Sequence, residues 1–270
     1  MKEQAEFLTW MDFLGKCDVK PRFHGFNQAD DILPLERHRI SVSVADPAAC
    51  DLEREGFARI DGVERVGDIN SATGRIAYLR QLELTVLAFT GASAAFALGN
   101  GVVRRSERAA EFRLGGTTVP GRFAHADFSS SYAGSGYWFD QTLTEEDRER
   151  YVGRRYAIYN LWQSISEPPQ DSTLALCDAQ SVDATDEVAC DQILDDREPQ
   201  LRIENTIFRF NARSRWVVFP NLELDQLLIF KGYDSDRSRV SSVAHGAIDC
   251  QGANDSVPRE SIDERVLAVF

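Results

Sequence analysis

In the stretch Arg122-Phe123-Ala124-His125-Ala126-Asp127-Phe128, an imidazole and a carboxylate stand one residue apart. Alternate side chains of an extended segment share a face, so His125 and Asp127 would point at one spot. A second imidazole follows far downstream in Ala244-His245-Gly246, and then comes Pro258-Arg259-Glu260-Ser261-Ile262. Two histidines and one carboxylate form the ligand set of a non-haem iron site that keeps coordination positions open for chemistry. Arg259 and Ser261 offer what the far end of a dicarboxylate co-substrate needs, a planar fork and a hydroxyl on the same face. The plainer alternatives are a hydrogen-bonded surface His–Asp pair and an exposed Arg259 paired with Glu260 or Glu264. The chain has four histidines, His24, His38, His125 and His245, so a second one downstream says little by itself.

Composition bounds the scaffold. The chain has 270 residues, of which 43% are hydrophobic and 27% charged, ordinary values for a globular protein. Its net charge of −13 argues against a nucleic-acid partner, which calls for a basic footprint. Cys17, Cys50, Cys177, Cys190 and Cys250 form no C-x-x-C pair and are odd in number, which reads as reduced thiols in a cytoplasmic protein. The first residues, Met1 to Glu6, carry acids where a signal peptide would be apolar. The most apolar stretch, Leu82 to Leu98, is interrupted by Glu83, Thr85, Gly91 and Ser93 and is too short to span a bilayer. The expectation is a soluble protein with a small-molecule substrate and no membrane partner; a homodimer is compatible with it. No Gly-rich phosphate loop supports nucleotide chemistry.

The elements that must position these residues are mostly strands. Residues 1 to about 50, broken by Pro21, Gly25 and Pro34, read as an irregular arm. A short strand follows at Gly56 to Ile60. Possible N-caps at Asp68 to Ser71 precede a helix over Arg75 to Phe89, ended by Gly91, whose core stripe would be Ile76, Leu79, Leu82, Val86 and Phe89. Thr144 can cap a short helix, Glu145 to Tyr151. Strands are expected at Ala94 to Leu98, Tyr156 to Trp162, Leu174 to Cys177, Gln226 to Phe230, Ser241 to Ala247 and Glu264 to Phe270. Asp183 to Asp196 reads as a solvated acidic excursion. Thr206 to Phe210 and Trp216 to Phe219 read as a hairpin around Asn211-Ala212-Arg213-Ser214. Many short strands behind one helical stretch indicate a mainly β fold with flanking helices and a double-stranded β-helix core, jelly-roll or cupin-like. The gap between Asp127 and His245 exceeds what a minimal jelly roll needs, so an insertion near residues 130–200 is expected.

Further blocks resemble a known family. Tyr159-Asn160-Leu161-Trp162, Leu174-Ala175-Leu176-Cys177-Asp178-Ala179-Gln180-Ser181-Val182, Arg215-Trp216-Val217-Val218-Phe219-Pro220, Leu228-Ile229-Phe230-Lys231-Gly232-Tyr233-Asp234-Ser235 and Pro258-Arg259-Glu260-Ser261-Ile262 are similar, in that order, to the fungal gibberellin-desaturase-like (hydroxylase/methyltransferase-like) family. The likeness covers the second half of the chain well and the first half loosely. Gln163 and Ala244 depart from the family pattern, which expects Arg and Pro there; these changes bear on the substrate pocket more than on the metal site. The resemblance implies one oxygenase domain over 1–270, with an arm, helix and supporting strands to residue 115 and the jelly-roll core from 116. It implies Fe(II) held by His125, Asp127 and His245, and 2-oxoglutarate held at its distal carboxylate by Arg259 and Ser261. With dioxygen, a small metabolite would be hydroxylated or desaturated, in natural-product biosynthesis. Asp127 occupies the place chloride would need, which argues against halogenation. Asn160 and Trp162 share a strand face and are the first substrate-side candidates; Tyr132, Trp138 and Lys231 follow, and core packing would account for any of them. A non-catalytic β-sandwich binding protein, or a cupin-like metalloenzyme that does not use 2-oxoglutarate, would share much of this pattern.

Overall fold

The computed structural model describes residues 6–24, 28–99, 101–109, 119–195, 201–250 and 255–270. The first part of the chain holds β1 (Glu6–Leu14), β2 (Arg22–His24), β3 (Leu35–Val44), β4 (Phe57–Asp61), α1 (Ala72–Thr90), β5 (Ala94–Ala97) and β6 (Val102–Arg105). Then come β7 (His125–Ala126), the short helices α2 (Ser130–Ala133), α3 (Tyr137–Thr142) and α4 (Glu145–Tyr151), and the strands β8 (Tyr156–Ser164) and β9 (Ser172–Cys177). The chain continues through β10 (Glu187–Asp195), β11 (Leu201–Phe208), β12 (Trp216–Val218), β13 (Gln226–Asp234), β14 (His245–Asp249) and β15 (Glu260–Val269).

The strands form two sheets of a jelly roll. The larger runs β1-β3-β12-β9-β14-β7-β11-β10-β2; the smaller runs β4-β13-β8-β15-β5, with β6 also paired to β15. The smaller sheet is buried on both faces. Tyr159 and Leu161 of β8, Leu227 and Ile229 of β13, and Val266 and Ala268 of β15 form one core with α1. Trp162, Leu228 and Phe230, on the opposite face by the two-residue period, pack toward Leu174 and Leu176 of the larger sheet. Such strands read as near-continuous apolar runs, which is how β8 appears in the sequence over Tyr156 to Trp162 apart from Asn160, and β13 over Leu227 to Phe230.

Helix α1 starts at Ala72, three residues ahead of the expected Arg75. Its cap is Ser71, the last of the possible ones, whose hydroxyl accepts from the Gly74 N–H, and it stops as expected at Gly91, in the left-handed region at φ 71°. Its buried face is rotated from the expected stripe. Tyr78, Leu82 and Val86 point inward, while Ile76 is 69% exposed and Phe89 43%. The i, i+4, i+8 line through Tyr78 meets the sheet, and the line through Ile76 and Phe89 falls outside it.

Four other expectations need correction. The first fifty residues are not an irregular arm: β1 and β3 form a nine-residue antiparallel ladder from Glu6↔Ser43 to Leu14↔Leu35. Thr9, Met11 and Phe13 of β1 alternate inward, but exposed Leu8 and Trp10 fill the outward positions with apolar side chains and hide the period. Pro21 and Pro34 stand outside the strands; Gly25 lies outside the described residues. The acidic segment after Asp183 is not an excursion, because Glu187 to Asp195 ladders with β11 and its Cys190 and Ile193 are buried; Asp196 lies outside the described residues. The strands around Asn211 to Ser214 do not make a hairpin. β11 sits between β7 and β10, whereas β12 sits between β3 and β9. The region between β7 and β8 adds the three short helices α2, α3 and α4, of which only α4, capped by Thr144, was legible. Among the described residues, no helix is long and apolar enough to cross a membrane.

The rotated face of α1 gives a direct test. Leu82→Ala removes a side chain with no exposure from the core and should cost about 2–5 kcal/mol. Ile76→Ala should change stability by about 0.5 kcal/mol or less. Urea unfolding of both variants checks the assignment, and equal losses would contradict it.

Candidate metal centre

His125 and His245 meet across the sheet. They are direct cross-strand partners of β7 and β14, and their ring centroids lie 4.3 Å apart. Each ring is turned by its own backbone. Nδ1 of His125 lies 2.9 Å from the Phe123 carbonyl, and Nδ1 of His245 lies 3.1 Å from that of Val243. A carbonyl can only accept, so each Nδ1 carries the proton and donates it, leaving each Nε2 with a bare lone pair. Asp127 follows β7 by one residue, and its Oδ1 lies 3.9 Å from both Nε2 atoms. One ligand atom from each residue can be chosen so that all three lie within 4.8 Å of one another. Two imidazole nitrogens with bare lone pairs and one carboxylate oxygen suit a divalent transition metal.

Burial shapes the charge states. It pushes His125 down to about 3, with His245 beside it acting in the same direction, and it also lowers His245. Burial alone would raise the Asp127 carboxyl, but the Arg265 charge and both imidazoles outweigh it and hold the group well below the usual carboxylate range. Metal binding needs neutral imidazoles and an ionised carboxylate, and the site meets both requirements at neutral pH.

The cleft at this site is lined from both sheets. It includes Arg104, Gly121, Asn160, Trp162, Leu174, Phe230, Arg259 and Asp263 beside the three donors. Gly121 has a local reason: a Cβ there would stand 3.2 Å from Cε1 of His125. Arg259 is only 1% exposed. Its backbone is pinned, the N–H donating to Asp171 Oδ1 at 2.8 Å and the carbonyl accepting from Ser106. Its guanidinium donates to Ser261 Oγ at 3.2 Å and to the Thr173 carbonyl at 3.4 Å, and lies 4.9 Å from the ring centre of Trp162. Among the described residues it has no salt-bridge partner. Burial, and Arg104 after it, lower its pKa to about 9, so it stays cationic at neutral pH.

The exposed alternatives for Asp127 and Arg259 do not describe these side chains, which are both buried. Asn160 and Trp162 line the cleft together, and Asn160 Oδ1 and Trp162 Nε1 are buried without hydrogen-bond partners among the described residues. The other three substrate-side candidates are not brought to the cleft. Tyr132 and Trp138 pack around Phe128, Ala133 and Ile158. Lys231 is fully buried in an ion-pair cluster, with Nζ 2.6 Å from Asp234 and 3.0 Å from Glu53.

Sequence reasoning missed Arg265, Asp263 and Arg104. Arg265 donates to Asp127 Oδ2 from Nε at 3.1 Å and Nη2 at 2.8 Å, and from Nη1 to Asp263 Oδ1 at 3.2 Å. Asp263 Oδ2 accepts from Arg104 Nε at 3.0 Å. The signal was available: Arg259, Ser261, Asp263 and Arg265 recur every second residue, which puts them on one face of a strand.

Over residues 26–270 the chain matches the YDMC family model, described as an oxidoreductase/YMDC permease-like domain. The Fe(II)/2-oxoglutarate-dependent dioxygenase nvfI of Aspergillus novofumigatus (strain IBT 16806) is 25% identical over 243 residues, covering 85% of this chain and 82% of that protein. A solved structure of the iron and alpha-ketoglutarate-dependent endoperoxidase NvfI matches with a TM-score of 0.85 at 19% identity, over 100% of this chain and 99% of the other. A second NvfI structure gives 0.82 at 22% identity, over 98% of each chain. At these identities the structural likeness establishes the fold.

The lowered histidines make stability depend on pH. Without metal, the unfolded chain takes up protons on His125 and His245 below about pH 6.5, while the folded protein holds His125 neutral to about 3. Stability should therefore fall as pH drops through that window, by about 2–5 kcal/mol at its acid end. Unfolding midpoints of metal-free protein measured from neutral to acid pH check this, and the His125→Gln/His245→Gln double variant should show a shallower slope. Parallel slopes for the two proteins would refute the buried neutral pair.

Proposed function

This chain belongs to the YDMC family of oxidoreductase/YMDC permease-like domains, and on that premise we propose that it is an iron(II)- and 2-oxoglutarate-dependent oxygenase of a small metabolite. One cleft carries the reading: it contains three convergent metal donors and a buried guanidinium with no salt-bridge partner among the described residues. A buried unpaired cation is costly, and an anionic ligand removes that cost. The likeness to a curated dioxygenase of this cofactor class supports the assignment.

In this reading His125 Nε2, His245 Nε2 and Asp127 Oδ1 hold the iron. With 2-oxoglutarate and dioxygen, the bound metal supplies oxidation of a substrate C–H bond coupled to conversion of the co-substrate to succinate and carbon dioxide. Arg259 binds the far carboxylate of 2-oxoglutarate through its fork, and Ser261, which accepts from Arg259 Nε, keeps that fork oriented. The Trp162 ring beside the guanidinium, with Leu174 and Phe230, keeps water from the reacting atoms. Asn160 Oδ1 and Trp162 Nε1, without hydrogen-bond partners among the described residues, would orient bound ligand atoms. The proposed outcome is hydroxylation or desaturation in natural-product biosynthesis, in line with the gibberellin-desaturase-like resemblance. The NvfI relative is named an endoperoxidase, so gain of one oxygen, loss of two hydrogens and gain of two oxygens are the product masses to separate.

Two measurements test the assignment. Parent protein reconstituted without oxygen should hold one Fe(II) per chain, and His125→Ala or His245→Ala should abolish it; iron content equal to the parent's would remove these residues from the ligand set. Titration of 2-oxoglutarate into the anaerobic Fe(II) protein, followed by the metal-to-ligand absorption band, tests Arg259. Arg259→Ala should weaken binding by about 3–5 kcal/mol, a few hundredfold or more. Arg259→Lys, which keeps the charge and loses the fork, should fall between. Equal affinities across the three proteins would end the co-substrate assignment.

A further inference from the structure

We infer that Arg265 is a positioning residue that restricts Asp127 to one oxygen as a metal ligand, and that Asp263 and Arg104 hold Arg265 in that role. The inference rests on the metal reading of the cleft and concerns how many coordination positions the protein leaves open.

The geometry is asymmetric at the carboxylate. Oδ1 of Asp127 is equidistant from the two histidine Nε2 atoms, at 3.9 Å from each. Oδ2 takes both contacts from Arg265, Nε at 3.1 Å and Nη2 at 2.8 Å. Two donors on one oxygen fix the carboxylate plane, whereas the terminal torsion of a free aspartate is broad. An unrestrained carboxylate can give a metal both oxygens; here one is already engaged by N–H groups. With Asp127 giving one oxygen and each histidine one nitrogen, an octahedral ion keeps three positions. A two-atom chelating co-substrate and dioxygen require all three.

The guanidinium is held from behind. Its remaining nitrogen, Nη1, donates to Asp263 Oδ1 at 3.2 Å, and Asp263 Oδ2 accepts from Arg104 Nε at 3.0 Å. Arg104 lies on β6, the neighbour of β15, where it is the register partner of Ser261. The four side chains thus alternate in charge from β7, across the sandwich, to β6. Simple neutralisation of Asp127 would need only a cation nearby. The ladder also fixes direction, because a planar fork is bonded to two different carboxylates.

The test uses Co(II) in place of iron, without co-substrate or turnover. Parent, Arg265→Gln, Arg265→Lys and Asp263→Asn proteins are titrated with Co(II); visible absorption reports coordination, and thermal unfolding is followed in parallel. The Gln variant should bind Co(II) about 10–100-fold more weakly than the parent, with a changed spectrum. The Lys variant should keep the charge and still show a changed spectrum, because its single nitrogen cannot fix the carboxylate plane. Asp263→Asn should weaken binding less than Arg265→Gln. If the parent binds one Co(II) and both Arg265 variants match it in affinity and spectrum, the inference fails, even if their melting temperatures fall. If the Gln variant does not fold, the Lys variant is judged by the same spectral criterion. A parent that takes up no Co(II) overturns the metal reading itself, and this inference with it.

Discussion

Charge taken out of water has to be answered inside the protein, and this requirement governs the space between the two sheets. An isolated buried ion costs several kcal/mol even after relaxation. The inner face of β15 nevertheless carries Asp263 and Arg265, with Arg259 and Ser261 at its start; all are buried or nearly so. Asp127 joins them from the larger sheet and Arg104 from β6. Arg265 is bonded to two carboxylates and Asp263 to two arginines, so each of those charges is met. Among the described residues the Arg259 guanidinium is bonded only to a hydroxyl and a carbonyl. The imbalance is local, beside the three candidate metal donors.

The other side of the smaller sheet is largely apolar. Tyr159 and Leu161 of β8 and Leu227 and Ile229 of β13 pack with α1, and their neighbours Asn160, Trp162 and Phe230 face the cleft. The two-residue period of a strand couples the core to the site: a register slip by one would put Arg265 against α1 and valine into the cleft. Lys231 contributes to the same end from outside the cleft. It is fully buried among Asp234, Glu53 and the Tyr159 ring, and its carbonyl accepts the Val243 N–H at 3.0 Å. The Val243 carbonyl in turn orients His245 through Nδ1. The FKGYDS block therefore belongs to the support of the distal histidine.

Much of this was legible locally and some was not, for identifiable reasons. The caps of α1 were readable because Ser71 and Gly91 act within one turn of their own positions. Which face of α1 is buried was not, since Ile76 and Phe89 are apolar enough to fit a stripe that the sheet does not touch. The Arg259-x-Ser261 spacing continues through Asp263 to Arg265 in the sequence, but alternation alone does not separate a buried polar face from a solvated one, and burial is not a local property. The segment after Asp183 misled in the same way, because ladder pairing with β11 outweighs the solvation of its acids.

The sequence alone determined the kinds and order of the reactive groups: His125 and Asp127 on one strand face, a distant His245, and Arg259 with Ser261 beyond it. It also determined a β-rich scaffold with one capped helix ahead of it. Only the tertiary structure decided that β7 and β14 are neighbours, which brings the two imidazoles within reach of one Asp127 oxygen. It also decided that β1 and β3 extend the larger sheet, that Tyr132, Trp138 and Lys231 are not among the residues lining the cleft, and that Arg265 grips Asp127. The division follows from range. Caps and two-residue alternation are set by adjacent residues, whereas the β7–β14 pairing and the Arg265–Asp127 ion pair join segments more than a hundred residues apart and exist only once the sheets have closed.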